Sequence, residues 1–310
     1  MGNEHVQPKA LTLGNRTFVW GRQTYIMAIL NITPDSFSGD GLLQTDDVVE
    51  AALTQARRAI REGADILDAG GMSTRPGSKF VSIEEEYRRV VPVIQALAQE
   101  TELPISVDSP RAEVIDAALD AGAHLVNAMC GIRTPDGTWN EALFKLVARR
   151  QVPLIIPHDY NPGSQRIQVA SDAAIGNYFD VAEYSGDVVN AIIDDLRASV
   201  EYARSQGVRE DQLIVDPGIG FGKTPEQNIE LLKRLVELRS LDLPVLVGAS
   251  RKSFIGRVLG VPPEQRDGGT AAVTAFAIQQ GADIIRVHNV GLNVQVARMT
   301  DALVRQNIQK

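Results

Sequence analysis

The chain is short of several things, and each scarcity narrows its options. A single cysteine among 310 residues, Cys130, excludes an intramolecular disulfide and fits a reducing cytoplasm. Four histidines (His5, His124, His158, His288) beside that one thiol leave little material for a Cys/His zinc site, and none is expected. No apolar stretch approaches the roughly 18 residues a membrane span needs, and the opening MGNEHVQPKA lacks the apolar segment of a secretory signal. Basic residues are outnumbered 31 to 39, for a formal net charge of −8. That balance argues against a nucleic-acid or anionic-membrane surface, while leaving room for a local cationic pocket that takes a small anion. No linker, low-complexity segment or shift in composition divides the chain, so residues 1–310 are expected to form one domain.

What is present is a repeat of pattern. Eight short apolar runs each close on a polar or charged residue. Ile26–Leu30 ends at Asn31, Ile66–Leu67 at Asp68, Ile105–Val107 at Asp108, and Leu125–Val126 at Asn127. Leu154–Ile156 closes through Pro157 at His158, Leu213–Val215 at Asp216, Val245–Val247 at Ser250-Arg251-Lys252, and Ile284–Val287 at His288. Amphipathic stretches of helical spacing separate them. Strands alternating with helices imply a parallel sheet, and eight such units predict a closed (β/α)8 TIM barrel, whose strand C-termini converge on one mouth where catalytic groups sit. Residues 11–25 read as a short N-terminal β-hairpin around Gly14-Asn15, with Phe18 and Trp20 as plug residues at the N-terminal end of the barrel.

Helices are expected at 46–62, at 83–99 behind a Ser82/Glu85 capping box, at about 111–121, and at 140–150. Further helices are expected at 187–206, at 225–239 from Pro225, at about 252–259 and 268–280, and from near Leu292. The stretch 159–185 has no clear pattern, and a loop of that length in a compact domain is usually a lid or binding element, or mobile.

Two loops after strands, Asn31–Gly41 and Gly70–Ser78, mix glycines with hydrogen-bonding side chains. A third, Asp216–Thr224, ends in GKT but is not a P-loop, because the leading glycine of GxxxxGK[ST] is Pro217. It also fails the dinucleotide fingerprint, with Lys223 at the last glycine position. Arg286 and His288 on the last strand, beside Lys252 after the seventh, suit the phosphate site common near strands seven and eight. Asp68, Asp108 and Asp216 in one pocket would repel unless something compensates. Lys252 could do so, as could a heterocycle with adjacent N–H groups such as a 2-amino-4-oxopyrimidine edge. The alternative is that Asp68 and Asp108 only cap the helices that follow them.

The set LNITPDSFSGDG (30–41), DAGGMSTRPGS (68–78), ISVDSPRAEV (105–114), LVNAMCG (125–131), IVDPGIGFGKT (214–224), GASRKSFIG (248–256), DGGTAAV (267–273) and ADIIRVHNV (282–290) resembles the dihydropteroate synthase family of folate biosynthesis. The resemblance implies condensation of a dihydropterin methyl diphosphate with p-aminobenzoate, releasing diphosphate. By motif, Asp108, Asn127, Asp216 and Lys252 would hold the pterin with Asp68 nearby, and Asn31 would bind a Mg²⁺ that also touches the diphosphate. Arg286 and His288, with Arg75 as a third donor, would take the diphosphate. Thr74, Pro76, Phe221, Ser250, Asp35, Ser36 and Phe37 would build the aminobenzoate site. A cytoplasmic homodimer, and sensitivity to sulfonamides, are further implications. The chain departs from the family pattern at Met72, where a glutamate is usual, and at Ala128 and Asn289, where aspartates are usual. A divergent pterin-binding paralogue without synthase activity, or a corrinoid-dependent methyltransferase barrel, are the readings it competes with.

Overall fold

In a computed structural model the chain is described over residues 8–32, 45–72, 81–134, 136–158, 184 and 186–305. Much of the loops 31–41, 70–78 and 159–185 therefore lies outside the described residues.

A two-stranded antiparallel hairpin opens the fold, β1 (Leu11–Leu13) with β2 (Arg16–Phe18), turning at Gly14-Asn15 as expected but ending well before residue 25. The remaining strands are β3 (Tyr25–Asn31), β4 (Ile66–Gly70), β5 (Ile105–Asp108), β6 (Leu125–Asn127), β7 (Leu154–Pro157), β8 (Leu213–Asp216), β9 (Leu246–Val247) and β10 (Ile284–Val287). They form one parallel sheet in the order β8-β7-β6-β5-β4-β3-β10-β9. A parallel bridge between Val215 and Val245, with the Val215 N–H donating to the Pro244 carbonyl at 2.9 Å, joins its two edges into a barrel. The expected (β/α)8 architecture is the observed one.

The strand period of two sorts side chains between two layers. Tyr25, Met27, Ile66, Leu125, Ile155, Ile214, Leu246 and Ile284 point into the barrel and share a buried cluster with Leu11, Leu13, Phe18 and Trp20 of the hairpin. The alternate residues, among them Ile26, Ala28, Leu67, Val126, Ile156, Val215 and Ile285, pack outward against the helices. The hairpin thus plugs the N-terminal end. Phe18, Trp20 and Tyr25 stack or meet edge-on with ring centroids 4.6–6.1 Å apart, and the Trp20 indole N–H donates to the Lys9 carbonyl at 2.8 Å. Truncation there should act on stability alone. Trp20→Ala is expected to cost about 3–5 kcal/mol in denaturant unfolding and to leave the opposite end of the barrel as it is.

The helices are α1 (Thr45–Glu62), α2 (Ile83–Glu100), α3 (Ala112–Asp120), α4 (Glu141–Arg150), α5 (Val188–Ser205), α6 (Pro225–Lys233), α7 (Ser253–Leu259), α8 (Asp267–Gln279) and α9 (Val290–Val304). Three details differ from expectation. Only half of the α2 capping box forms: Ser82 Oγ accepts from the Glu85 N–H, but the Glu85 carboxylate turns to Arg89 one helical turn on, at 2.8 Å. Helix α6 stops at Lys233, and the chain continues as a 3₁₀ segment, Leu235–Leu241. Leu235, Leu238 and Leu241 there are spaced by three and all buried, the period of a 3₁₀ turn. Helix α9 starts two residues early because the Asn289 side chain caps it, accepting from the Leu292 N–H at 3.2 Å.

Candidate active site

The same alternation that buries the lower layer raises the polar residues into the mouth. Two residues above Ile66, Leu125, Ile214 and Ile284 stand Asp68, Asn127, Asp216 and Arg286. Register aligns Asp108 with both Gly70 and Asn127, and Arg286 with Met27. Asp68 and Asp108 are therefore not helix caps; the residue preceding α3 is Arg111, and Asp68 is fully buried.

Arg286 holds the floor together. Its Nε donates to Asp68 Oδ2 and its Nη2 to Asp108 Oδ2, each at 2.6 Å, while Asn127 Nδ2 donates to Asp68 Oδ2 at 3.2 Å. Burial works against the Arg286 charge, but the two carboxylates outweigh it and raise the guanidinium's pKa. Burial pushes Asp108 up to about 7, with Arg286 pulling the other way and Asp68 adding to the rise. Asp216 is raised by burial too, opposed by the Gly218 N–H that donates to its Oδ1 at 2.8 Å. Lys252 is brought down to about 8 by burial and by the Arg286 charge, against the attraction of Asp216. Its ammonium sits 3.8 Å from the centre of the Phe221 ring, a cation–π contact. Among the described residues, Asp68 Oδ1 and Asn127 Oδ1 are buried without a hydrogen-bond donor. A floor of carboxylates and an amide oxygen matches a flat ligand that presents N–H groups in its plane.

At the rim, Ser250 Oγ accepts from the His288 backbone N–H at 3.2 Å and lies 3.0 Å from His288 Nδ1. Asn31 Nδ2 lies 3.5 Å from His288 Nε2. Asn31, Ser250 and His288 therefore form one group above Arg286.

Arg251, in the left-handed region at φ 56°, turns its side chain away from Lys252 and grips Asp267 with Nε at 2.6 Å and Nη2 at 2.9 Å. Asn289 Nδ2 donates to the same carboxylate at 2.8 Å, which ties the loop after β9 to the loop after β10. This accounts for Asn289, since an aspartate there would set two carboxylates against each other. Ala128 packs in the outer apolar layer and Met72 is half-buried beside Gly71.

Of the residues singled out in the sequence, Asn31, Asp68, Asp108, Asn127, Asp216, Phe221, Ser250, Lys252, Arg286 and His288 lie at this mouth. Asp35, Ser36, Phe37, Thr74, Arg75 and Pro76 lie outside the described residues. Arg286 is placed lower than a diphosphate donor was expected, its guanidinium directed to the floor carboxylates rather than to the rim. Sequence reasoning also passed over Lys223, Glu86 and Arg111. Glu86 is completely buried and accepts from Arg111 Nη1 at 2.5 Å, backing the turn at Gly71. The available cue for Lys223 was a lysine in a glycine-rich turn whose carbonyls need donors.

A barrel whose mouth offers this floor is a pterin-binding enzyme, and the family model described as "Pterin binding enzyme" matches residues 27–288. A dihydropteroate synthase from Synechocystis is 44% identical over 299 residues, covering 96% of each chain. One from Bacillus subtilis is 39% identical, covering 97% of this chain and 94% of the relative. Among solved structures, the Clostridium difficile dihydropteroate synthase in the presence of pteroic acid superposes with a TM-score of 0.82 at 42% identity, covering 93% of this chain and 99% of that one. The Xanthomonas albilineans enzyme in complex with 7,8-dihydropteroate gives 0.79 at 35% identity, covering 97% and 100%. The chain belongs to the dihydropteroate synthase family.

Proposed function

We propose that the mouth binds a dihydropterin methyl diphosphate on its floor and p-aminobenzoate beside Phe221, and joins them with loss of diphosphate. The chain is a transferase of the dihydropteroate synthase type; which residues do what is the proposal. The observation that carries it is the floor, where Asp108, Asp216, Asp68 and Asn127 offer acceptors to the pyrimidine N–H edge and Lys252 supplies a donor.

Arg286 then has two tasks. With no pterin present it neutralises Asp68 and Asp108; when the heterocycle's N–H groups take over that hydrogen bonding, the guanidinium is released toward the leaving diphosphate. His288, oriented by Ser250, donates to the same anion, and Arg75 is the proposed third donor. Phe221 and Ser250, together with Thr74, Pro76, Asp35, Ser36 and Phe37, form the aminobenzoate side.

Mg²⁺ is the proposed cofactor. Asn31 fits it, because its amide supplies one hard oxygen at the rim beside His288, and Mg²⁺ commonly takes one or two protein oxygens with phosphate and water completing its shell. When bound, the ion would neutralise charge on the departing diphosphate. The neutral arylamine needs no strong base, so the protein's own contribution is positioning and charge stabilisation.

The pH dependence follows from the two shifted groups. Asp108 must be ionised to accept, so activity falls as pH drops below about 7. Lys252 must be charged to donate, so activity falls as pH rises above about 8. A narrow bell for kcat/KM of the pterin substrate is expected, and the residual activity of Lys252→Met should lack the alkaline limb.

A homodimer is proposed through the late helices, where Val258, Leu259, Phe276, Met299 and Leu303 expose apolar surface; sedimentation at the mass of a single 33.6 kDa chain would end that idea. Residues 1–310 are proposed to fold as one unit. A cytoplasmic location is proposed from the single cysteine; no helix among the described residues is long and apolar enough to cross a membrane. The Yersinia pestis relative is known in a sulfonamide complex, and the same inhibition is proposed here. The test is direct: purified protein with the pterin diphosphate, p-aminobenzoate and Mg²⁺ must yield dihydropteroate and diphosphate. Pterin binding without turnover would favour the paralogue reading.

A further inference from the structure

We infer that Lys223 is a positioning residue for the aminobenzoate side of the site, acting through Phe221. The loop from Asp216 to Thr224 reverses direction sharply, with Gly218 at φ 67° and Gly220 at φ 83°. Both positions are closed to side chains, since a Cβ on Gly218 would lie 1.8 Å from the His158 carbonyl oxygen and one on Gly220 2.7 Å from Lys252 Cδ. A turn this tight points its carbonyls inward, where each needs a donor.

Lys223 is that donor. Its side chain is 1% exposed, and Nζ lies 2.9 Å from the Gly218 carbonyl, 3.0 Å from that of Phe221, 3.3 Å from that of His158 and 3.1 Å from His158 Nδ1. The loop is wrapped around an ammonium. Burial, and then the Lys223 charge, keep His158 well below its ordinary pKa, so His158 is neutral and its Nδ1 lone pair faces Lys223. The ring proton is then on Nε2, on the side of Asp195, whose Oδ2 lies 3.9 Å away, beyond hydrogen-bond reach. Asp195 is itself held by Arg133 Nη2 at 2.8 Å.

The consequence reaches the site through one peptide. The Phe221 carbonyl is bound to Lys223, and the Phe221 ring lies under the Lys252 ammonium. Lys223 sets the backbone of Phe221 and, with it, one wall of the aminobenzoate pocket and one face of the Lys252 environment. The floor carboxylates Asp68 and Asp108 are tied to Arg286 instead, and Asp216, though its Oδ1 accepts from the turn at Gly218, is held in β8 by pairing with Pro157 and by the His158 N–H. Loss of the Lys223 ammonium should therefore be felt by one substrate much more than by the other.

This rests on placing p-aminobenzoate against Phe221, and the experiment separates the two. KM for each substrate and the pH profile of kcat/KM are measured for Lys223→Met, Phe221→Ala and the double variant. Lys223→Met is expected to raise KM for p-aminobenzoate on the order of ten- to hundredfold, with little change in KM for the pterin diphosphate. It should also move the alkaline limb to lower pH as Lys252 loses its aromatic neighbour. In the Phe221→Ala background it should add little, the non-additivity of residues that act as one unit. Lys223→Gln restores two N–H donors on a side chain one bond shorter, so its KM for p-aminobenzoate should fall between wild type and Lys223→Met, and it can be read where the methionine variant does not fold. An unchanged KM for p-aminobenzoate in the Lys223 variants, equal rises for both substrates, additive effects in the cycle, or failure of both variants to fold would each overturn the inference. If Phe221→Ala itself leaves that KM unchanged, the aminobenzoate placement is what fails.

Discussion

Arg286→Met is expected to lower kcat/KM by about two to three orders of magnitude, the usual cost of removing a charge-stabilising donor from an active site. The fall should appear in kcat as well as in kcat/KM, because the guanidinium matters most as the diphosphate departs. A second loss accompanies it. Asp68 is fully buried, Asp108 is 15% exposed, and Arg286 is the cation that bridges them at 2.6 Å each. Removing one partner of such a group leaves uncompensated buried charge, at about 3–5 kcal/mol of folding stability. The sign of the pH effect is fixed by Asp108. Its folded pKa already lies above the ordinary carboxylate value, and without Arg286 it rises further. The stability gap between variant and wild type should therefore be widest at alkaline pH and shrink as pH falls and the carboxyl takes up a proton. Denaturant unfolding across pH checks this; a gap that grows toward acid would contradict the bridging role. Arg286→Lys should recover part of the stability and less of the rate, since one ammonium cannot span two carboxylates in the way a guanidinium does.

The second large effect concerns recognition. Asp216 accepts the Gly218 N–H on Oδ1, and its Oδ2 faces Gly248, within the field of the Arg286 charge. In Asp216→Asn an amide N–H₂ replaces an acceptor, so a pterin donor would meet a donor. Sites built around such hydrogen bonds discriminate strongly when a partner is mismatched, and kcat/KM for the pterin diphosphate should fall by about three to four orders of magnitude. Calorimetric titration with the pterin diphosphate alone should show binding weakened to match, while the folded protein keeps its secondary structure. Wild-type affinity in that variant would remove Asp216 from the pterin floor.

The barrel and its floor were legible because the same signal reports both. Eight apolar runs each closed on a polar or charged residue in order, and on β4, β6, β8 and β10 that residue stands one inward step above a buried aliphatic one. Asp68 and Asp108 were ambiguous as one-dimensional features, since a carboxylate before a helix reads equally as a cap. The register that sets Gly70 opposite Asp108 resolves it. Lys223 was missed because its neighbours suggested nucleotide binding, and rejecting that motif left its side chain without a task. Its contacts are mostly to backbone carbonyls, which have no sequence identity. The break of α6 at Arg234 was hidden for a related reason: leucines three apart suit an α-helix as well as a 3₁₀ turn, and only the burial of all three in a row separates them. Asn289 looked like a lost carboxylate and proves to serve Asp267.

The alternation along the strands has a further result for how such a chain can vary. Because floor and plug alternate with the helix-facing residues on every staircase step, deleting one residue within β4, β6, β8 or β10 would swing Asp68, Asn127, Asp216 or Arg286 out of the cavity and drive an aliphatic side chain into it. Length changes are therefore excluded from the staves themselves, and drift along them must proceed by exchanging side chains at fixed rungs.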